Sequence, residues 1–194
     1  MMKAIVVAAV VLLAGCGDKG PDVGKVKKGI DVAAINALVP AGRQLEFEVV
    51  VTEGKRSVAV APKGWQKGFM SGQLDPPDGA GWGFGTNYRV STSCDGMCTS
   101  KDWAKELQTG HLQQVRGDGP TLKDEAVGAD GWLVMKASNA GGIDSVEGLL
   151  VRWKKGGSKY HTCGFSLADD DKALAPAFEA ACRAMVGLRW DARS

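Results

Sequence analysis

The chain has 194 residues, a formal net charge of +2 and 27 glycines. Its length suits one domain with its own core, and the near-neutral balance of interspersed charges gives no electrostatic case for nucleic acid. We therefore expect no nucleic-acid partner, and the abundant glycine predicts many turns and tight strand connections.

The first feature along the chain is a short apolar stretch after a basic start. Met1, Met2 and Lys3 precede an unbroken apolar run over residues 4–13. The run is too short to span a bilayer and has the size of a signal-peptide core. It ends in Leu13-Ala14-Gly15-Cys16, which resembles the lipobox of bacterial lipoprotein signal peptides.

This resemblance implies the location of the protein. The sulfur of Cys16 would receive a diacylglyceryl group, residues 1–15 would be removed, and the new N-terminus would be acylated, typically with palmitate. Several acyl chains hold a protein on a bilayer almost permanently, so the lipid bilayer is the first expected partner. An ordinary secretion signal or a short membrane anchor is the alternative, but neither accounts for Cys16.

The residues after Cys16 bear on which membrane holds the protein. In enteric lipoproteins an aspartate directly after the cysteine favours inner-membrane retention. Here Gly17 follows Cys16 and Asp18 comes one place later. We therefore expect a lipid-anchored protein of the bacterial envelope, on the outer membrane, facing the periplasm or the cell surface.

The next segment is polar and rich in lysine, glycine and proline, so it cannot bury a core. The predicted organisation is a signal peptide (1–15), a lipidated cysteine with a flexible tether (16–29), and a single α+β domain (30–194).

Hydrophobic periodicity predicts the elements of that domain. In chain order they are a short helix (30–39), a strand hairpin (45–49 and 57–61), a loop (66–81), a strand (82–90), a helix (99–108), four strands (121–127, 132–137, 146–153 and 159–167), and a terminal helix starting at Asp169. Phe178, Cys182 and Met185 share one face of the terminal helix. Asp169, Asp170 and Asp171 suit its positive end better than a calcium site, since they lack the spaced ligands of an EF-hand.

This order predicts the α+β class, an antiparallel sheet with helices packed on it. Over residues 45–188 it resembles the PsbP/Mog1-like sandwich of small bacterial lipoproteins and photosystem accessory proteins. The segment from Cys94 to Trp103 (CDGMCTSKDW) is similar to one in uncharacterised lipoproteins of myxobacteria, which implies no known activity.

Four cysteines remain after Cys16, and an even number in an exported chain predicts two disulfides. Of the three pairings we favour Cys94–Cys98, across an Asp-Gly turn, and Cys163–Cys182. Cys163 shares the inward parity of its strand, and Cys182 lies on the apolar helix face. This second bridge would staple the C-terminal helix to the sheet.

The cysteine pair at Cys94 and Cys98 also permits other functions. Two thiolates with Met97, and with His111 or His161, suit copper(I), and a thiol-redox pair is a further alternative. The spacing is not that of a zinc ribbon.

Neither histidine lies in a catalytic signature, and a surface or strand-end position explains each. We expect most of the six tryptophans to pack in the core or at its rim. We expect a non-enzymatic binding or assembly module with an envelope protein partner and without catalytic residue, cofactor or metal, although a hydrolase site with no sequence signature is a third hypothesis.

Overall fold

The computed structural model describes residues 21–79, 81–93, 120–140, 142–154 and 159–190. Its helices are α1 (Val23–Lys28), α2 (Val32–Asn36) and α3 (Ala175–Arg183), with 3-10 turns at Glu53–Lys55 and Asp169–Leu174. The strands are β1 (Phe47–Val51), β2 (Ser57–Pro62), β3 (Gln66–Lys67), β4 (Gln73–Asp75), β5 (Asn87–Ser93), β6 (Thr121–Ala126), β7 (Gly131–Ala140), β8 (Ile143–Trp153), β9 (Tyr160–Ala168) and β10 (Val186–Gly187).

Seven strands form one antiparallel sheet in the order β3-β4-β5-β9-β8-β7-β6. Alternate residues of a strand point to opposite faces, and on one face of the central strands these side chains are almost wholly buried. We call this the inner face; it consists of Tyr88, Val90, Leu133, Met135, Leu150, Cys163, Phe165 and Leu167.

A second layer covers the inner face. It contains α3 and a small sheet in the order β1-β2-β10. Phe178 of α3 lies at its centre, fully buried, with its ring centroid 5.2 Å from that of Phe47, 5.8 Å from that of Tyr88 and 5.7 Å from that of Phe165. The Tyr88 hydroxyl donates to the Val60 carbonyl over 2.6 Å, so a hydrogen bond also joins the two layers.

A disulfide between Cys163 of β9 and Cys182 of α3 joins the layers covalently, and their Cα atoms are 5.3 Å apart. This separation is typical of disulfides. The predicted fold class is therefore confirmed: an antiparallel α+β structure with its C-terminal helix stapled to the sheet.

Several element boundaries differ from the sequence prediction. The strand predicted over residues 82–90 corresponds to β5 but begins at Asn87. Gly81 and Gly85 adopt left-handed conformations and turn the chain before it. The terminal α-helix begins at Ala175, after a 3-10 turn, with Pro176 in its first turn. Strands β3, β4 and β10 are short elements that the periodicity did not predict.

The segment before the predicted domain contains a further helix. α1 falls within the segment expected to be a tether, begins at the Asp22 cap and has no buried residue. In the part of the chain that the structure describes, no helix has the length and apolar character needed to cross a membrane. The helix predicted over residues 99–108 lies outside the described residues.

Candidate functional site

The candidate site lies on the opposite side of the seven-stranded sheet, which we call the outer face. Two rows of laterally paired residues cross its centre from β5 through β9 and β8 to β7. The first row is Asn87, Ser166, Glu147 and Lys136, and the second is Arg89, Gly164, Leu149 and Val134. All but Val134 are only partly buried, so these side chains remain accessible for contact.

A groove of about 250 Å³ crosses these two rows. Gly164 lies in its floor, and a Cβ there would come 3.3 Å from the Gly148 carbonyl oxygen and 3.4 Å from Leu149 Cδ1. The missing side chain therefore lowers the face between the neighbouring strands. Ligand sites for drug-sized molecules usually enclose roughly 300–1,000 Å³, so this groove suits one or two side chains of a partner.

The tip of the β3–β4 hairpin, residues 68–72, forms one wall of the groove. Gly72 holds the tip against β5: the Val90 amide donates to its carbonyl over 3.0 Å, and a Cβ at Gly72 would lie 2.0 Å from the Val90 carbonyl oxygen. Met70 lines the groove, and Phe69 beside it is fully exposed. The hairpin thus presents an apolar tip from a fixed position, which is typical of a binding surface.

The charged side chains that line the groove are Arg89, Lys136 and Glu147. Lys136 Nζ lies 3.9 Å from Glu147 Oε2, whereas the Arg89 guanidinium bonds to the hairpin tip, through Nε to the Ser71 carbonyl over 3.1 Å. Ser166 adds a hydroxyl to the lining, laterally paired with Glu147. The groove thus combines apolar groups, a hydroxyl and one excess positive charge.

His161 is at the end of a strand, as predicted, but it is fully buried rather than on the surface. The Arg189 carbonyl lies 3.0 Å from Nε2 and must accept a hydrogen bond, so Nδ1 accepts from the Thr92 hydroxyl over 2.8 Å. Burial lowers the pKa of His161 to about 4, and Lys159 and Arg56 lower it further against the effect of the Arg189 carbonyl. His161 is therefore a neutral packing residue.

Asp169, Asp170 and Asp171 form the first turn of the 3-10 segment that leads into α3, as predicted, but the Asp171 side chain does not cap it. Its buried carboxylate accepts from the Gly83 amide and the Thr86 hydroxyl, each over 2.8 Å, and pairs with Arg43. Arg43 also lies over the Trp82 ring, with Cζ 5.0 Å from its centroid. These contacts join three distant segments and leave no open position for a ligand, so the cluster is structural.

Of the other predicted site residues, the structure describes only two cysteines. Cys163 and Cys182 are joined to each other; Cys16, Cys94, Cys98, Met97 and His111 lie outside the described residues. Within the described ranges, no group of three His, Cys, Asp or Glu side chains is arranged to hold a metal ion.

The tryptophans that the structure describes agree with a role in the core or at its rim. Trp65 and Trp153 are buried, and Trp82, Trp132 and Trp190 are partly buried. None of these five is among the residues that line the groove.

No protein-family model and no curated protein sequence matches the chain. Among solved structures, the Ran-binding protein Mog1p of Saccharomyces cerevisiae is similar, with a TM-score of 0.48 and 11% identity over 75% of this chain and 97% of that one. A mutant of protein Mog1 gives a TM-score of 0.44 and 12% identity over 74% and 97%. Both names belong to the fold group that the element order resembles, but similarity at this level supports no conclusion about partner or activity.

Proposed function

We propose that the chain is a lipid-anchored lipoprotein of the bacterial envelope, and that its α+β domain is a non-enzymatic module that binds an envelope protein on the outer face. In this proposal Cys16 carries the acyl chains and residues 16–29 connect it to the domain, on the outer membrane. The Leu13-Ala14-Gly15-Cys16 sequence supports the anchor.

One observation supports the binding function above all others: the groove at the centre of the outer face, bounded by the fixed apolar tip of the β3–β4 hairpin. Its lining combines apolar, polar and charged groups, as protein-binding surfaces do. The buried side chains of His161 and Asp171 are already engaged in hydrogen bonding and ion pairing.

Site-specific photo-cross-linking in intact cells tests the binding function. A benzophenone side chain would replace Asn87 or Ser166 in the groove, or Leu38, which follows α2 in the layer on the other side of the sheet. We expect a defined cross-linked partner from the groove positions but not from position 38. Leu149→Arg in the floor should abolish the product, whereas Leu38→Arg should not; equal cross-linking from all positions would contradict the proposal.

The anchor has its own test. Cys16→Ser removes the only sulfur in the lipobox, so the precursor should accumulate uncleaved and incorporate no radiolabelled palmitate. The Cys163→Ala, Cys182→Ala double variant is the matched control and should label normally. Normal cleavage and unchanged membrane partition of Cys16→Ser would refute the lipobox interpretation.

A further inference from the structure

Arg89 occupies a distinctive position in the groove. It lies on β5, with Gln73 of β4 on one side and Gly164 of β9 on the other. Its Nε donates to the Ser71 carbonyl over 3.1 Å and its Nη1 to Met70 Sδ over 3.7 Å. The hairpin tip therefore holds the guanidinium at the groove, and Gly164 leaves open space beside it.

Arg89 has no carboxylate partner among the residues that the structure describes, because the nearby carboxylates pair with other groups. Glu147 is next to Lys136, and Asp75 accepts a hydrogen bond from the Gln73 amide over 2.7 Å. In these ranges no acidic oxygen lies within ion-pair distance of Arg89. The guanidinium presents a planar set of donors that matches a carboxylate, and two of its bonds already restrict its conformation.

Apolar side chains line the same groove as this cation. Leu149 and Val134 line the floor, Met70 lines the wall, and Phe69 extends from the tip. A free inorganic anion would gain nothing from these groups. A polypeptide that carries an acidic side chain next to an apolar one would use both.

We propose that the groove binds an extended segment of a protein partner, in which an Asp or Glu side chain pairs with Arg89 and a neighbouring apolar side chain packs on Leu149 and Met70. This inference rests on the proposed binding function and defines the chemistry of the partner. Arg89 is then the residue that determines specificity, and the hairpin tip is a positioning element for it.

The test uses the full lipidated chain in detergent micelles and a phage library of random peptides as the probe. We expect the bound peptides to be enriched in Asp or Glu beside an apolar residue. Arg89→Gln should weaken the best peptide about tenfold or more, the scale of a lost charge-assisted hydrogen bond in a partly buried site. Arg89→Lys keeps the charge but not the planar donors, so its affinity for the best peptide should lie between those of wild type and Arg89→Gln.

Arg189→Gln is the matched control, because Arg189 is exposed and does not line the groove. Melting temperatures of all variants would show that each is folded. Replacing the acid of the best peptide by its amide should cause the same loss as Arg89→Gln, and the two changes together should cause little further loss. This non-additivity is a readout that a merely structural role of Arg89 would not produce.

Other outcomes separate this inference from the proposed function. Peptides without acidic residues, bound equally by wild type and Arg89→Gln but lost in Leu149→Arg, would overturn the role of Arg89 and leave the groove as a binding site. Peptides insensitive to both variants would contradict the proposed function itself. Tight binding to phosphatidylglycerol vesicles that Arg89→Gln abolishes, without any peptide binding, would overturn the inference in favour of a lipid-headgroup site.

Discussion

The inner and outer faces of the seven-stranded sheet are formed by alternate residues of the same four strands, yet they differ in polarity and burial at the centre of the sheet, although Val151, Trp153 and Tyr160 at one end of the outer face are buried too. The inner face is apolar, buried and joined to α3 by a disulfide. The outer face carries hydroxyls, an amide, charges and a glycine-floored groove. Packing against a second layer restricts residue type on the inner face, whereas the side chains at the centre of the outer face are mostly only partly buried and less restricted by packing.

The largest expected effect tests this contrast directly. Phe178→Ala removes the ring that contacts the inner face and should cost about 3–5 kcal/mol of unfolding free energy, because it leaves a cavity. Leu149→Ala on the outer face should cost less than about 1 kcal/mol, since that side chain is partly exposed already. Urea denaturation of both variants measures the difference, and equal losses would show that the outer face is also a packing surface.

Breaking the staple should have the next largest effect. The Cys163→Ala, Cys182→Ala double variant releases a loop with a sequence separation of 19. Chain-entropy estimates give a loss of about 3 kcal/mol, and for a domain of this size the melting temperature should fall by roughly 6–12 °C. Calorimetry under oxidising conditions measures it; an unchanged melting temperature, or peptide maps that join Cys163 to Cys94, would contradict the pairing.

Titration of His161 should give the smallest and most specific change in unfolding free energy, because its buried position on the inner face favours the neutral form. Its pKa is about 4 when folded, against an ordinary value of 6.5, so the unfolded chain binds more protons between these values. Stability from this group is complete above about pH 6.5 and is lost as the pH falls towards 4.

The loss over that range should be about 1–3 kcal/mol. Comparing wild type with His161→Gln by urea denaturation at several pH values isolates it from the carboxylates, which titrate in both proteins. A slope that is identical in the two proteins would show that His161 titrates normally in the folded state.

The inner face could be predicted from the sequence because its signal is local. The shared parity of Cys163, Phe165 and Leu167, and the helical spacing of Phe178 and Cys182, are sufficient to place the disulfide. Strands of two or three residues, such as β3 and β10, are too short to show any periodicity, and only their pairing partners define them.

The outer face could not be predicted in the same way. Arg89 and Gly164 are 75 positions apart, and Leu149 lies on a third strand; they become neighbours only through the order β5-β9-β8. Asp171 shows the same limit, since Arg43 and Gly83, which contact it, are 128 and 88 positions away. Alternation indicates that Arg89 and Leu149 point outward, but only the strand order brings them to one groove.

The contact between α2 and β1 has a mechanical consequence. α1 has no buried residue, so a pull on the chain at its N-terminal side would extend α1 first. The load would then reach α2, where Ile35 is buried and the Phe47 amide of β1 donates to the Asn36 side chain over 2.7 Å. Arg43, between α2 and β1, is held in turn by the buried Asp171. These contacts would take up tension on the N-terminal segment before it reached the seven-stranded sheet and its groove.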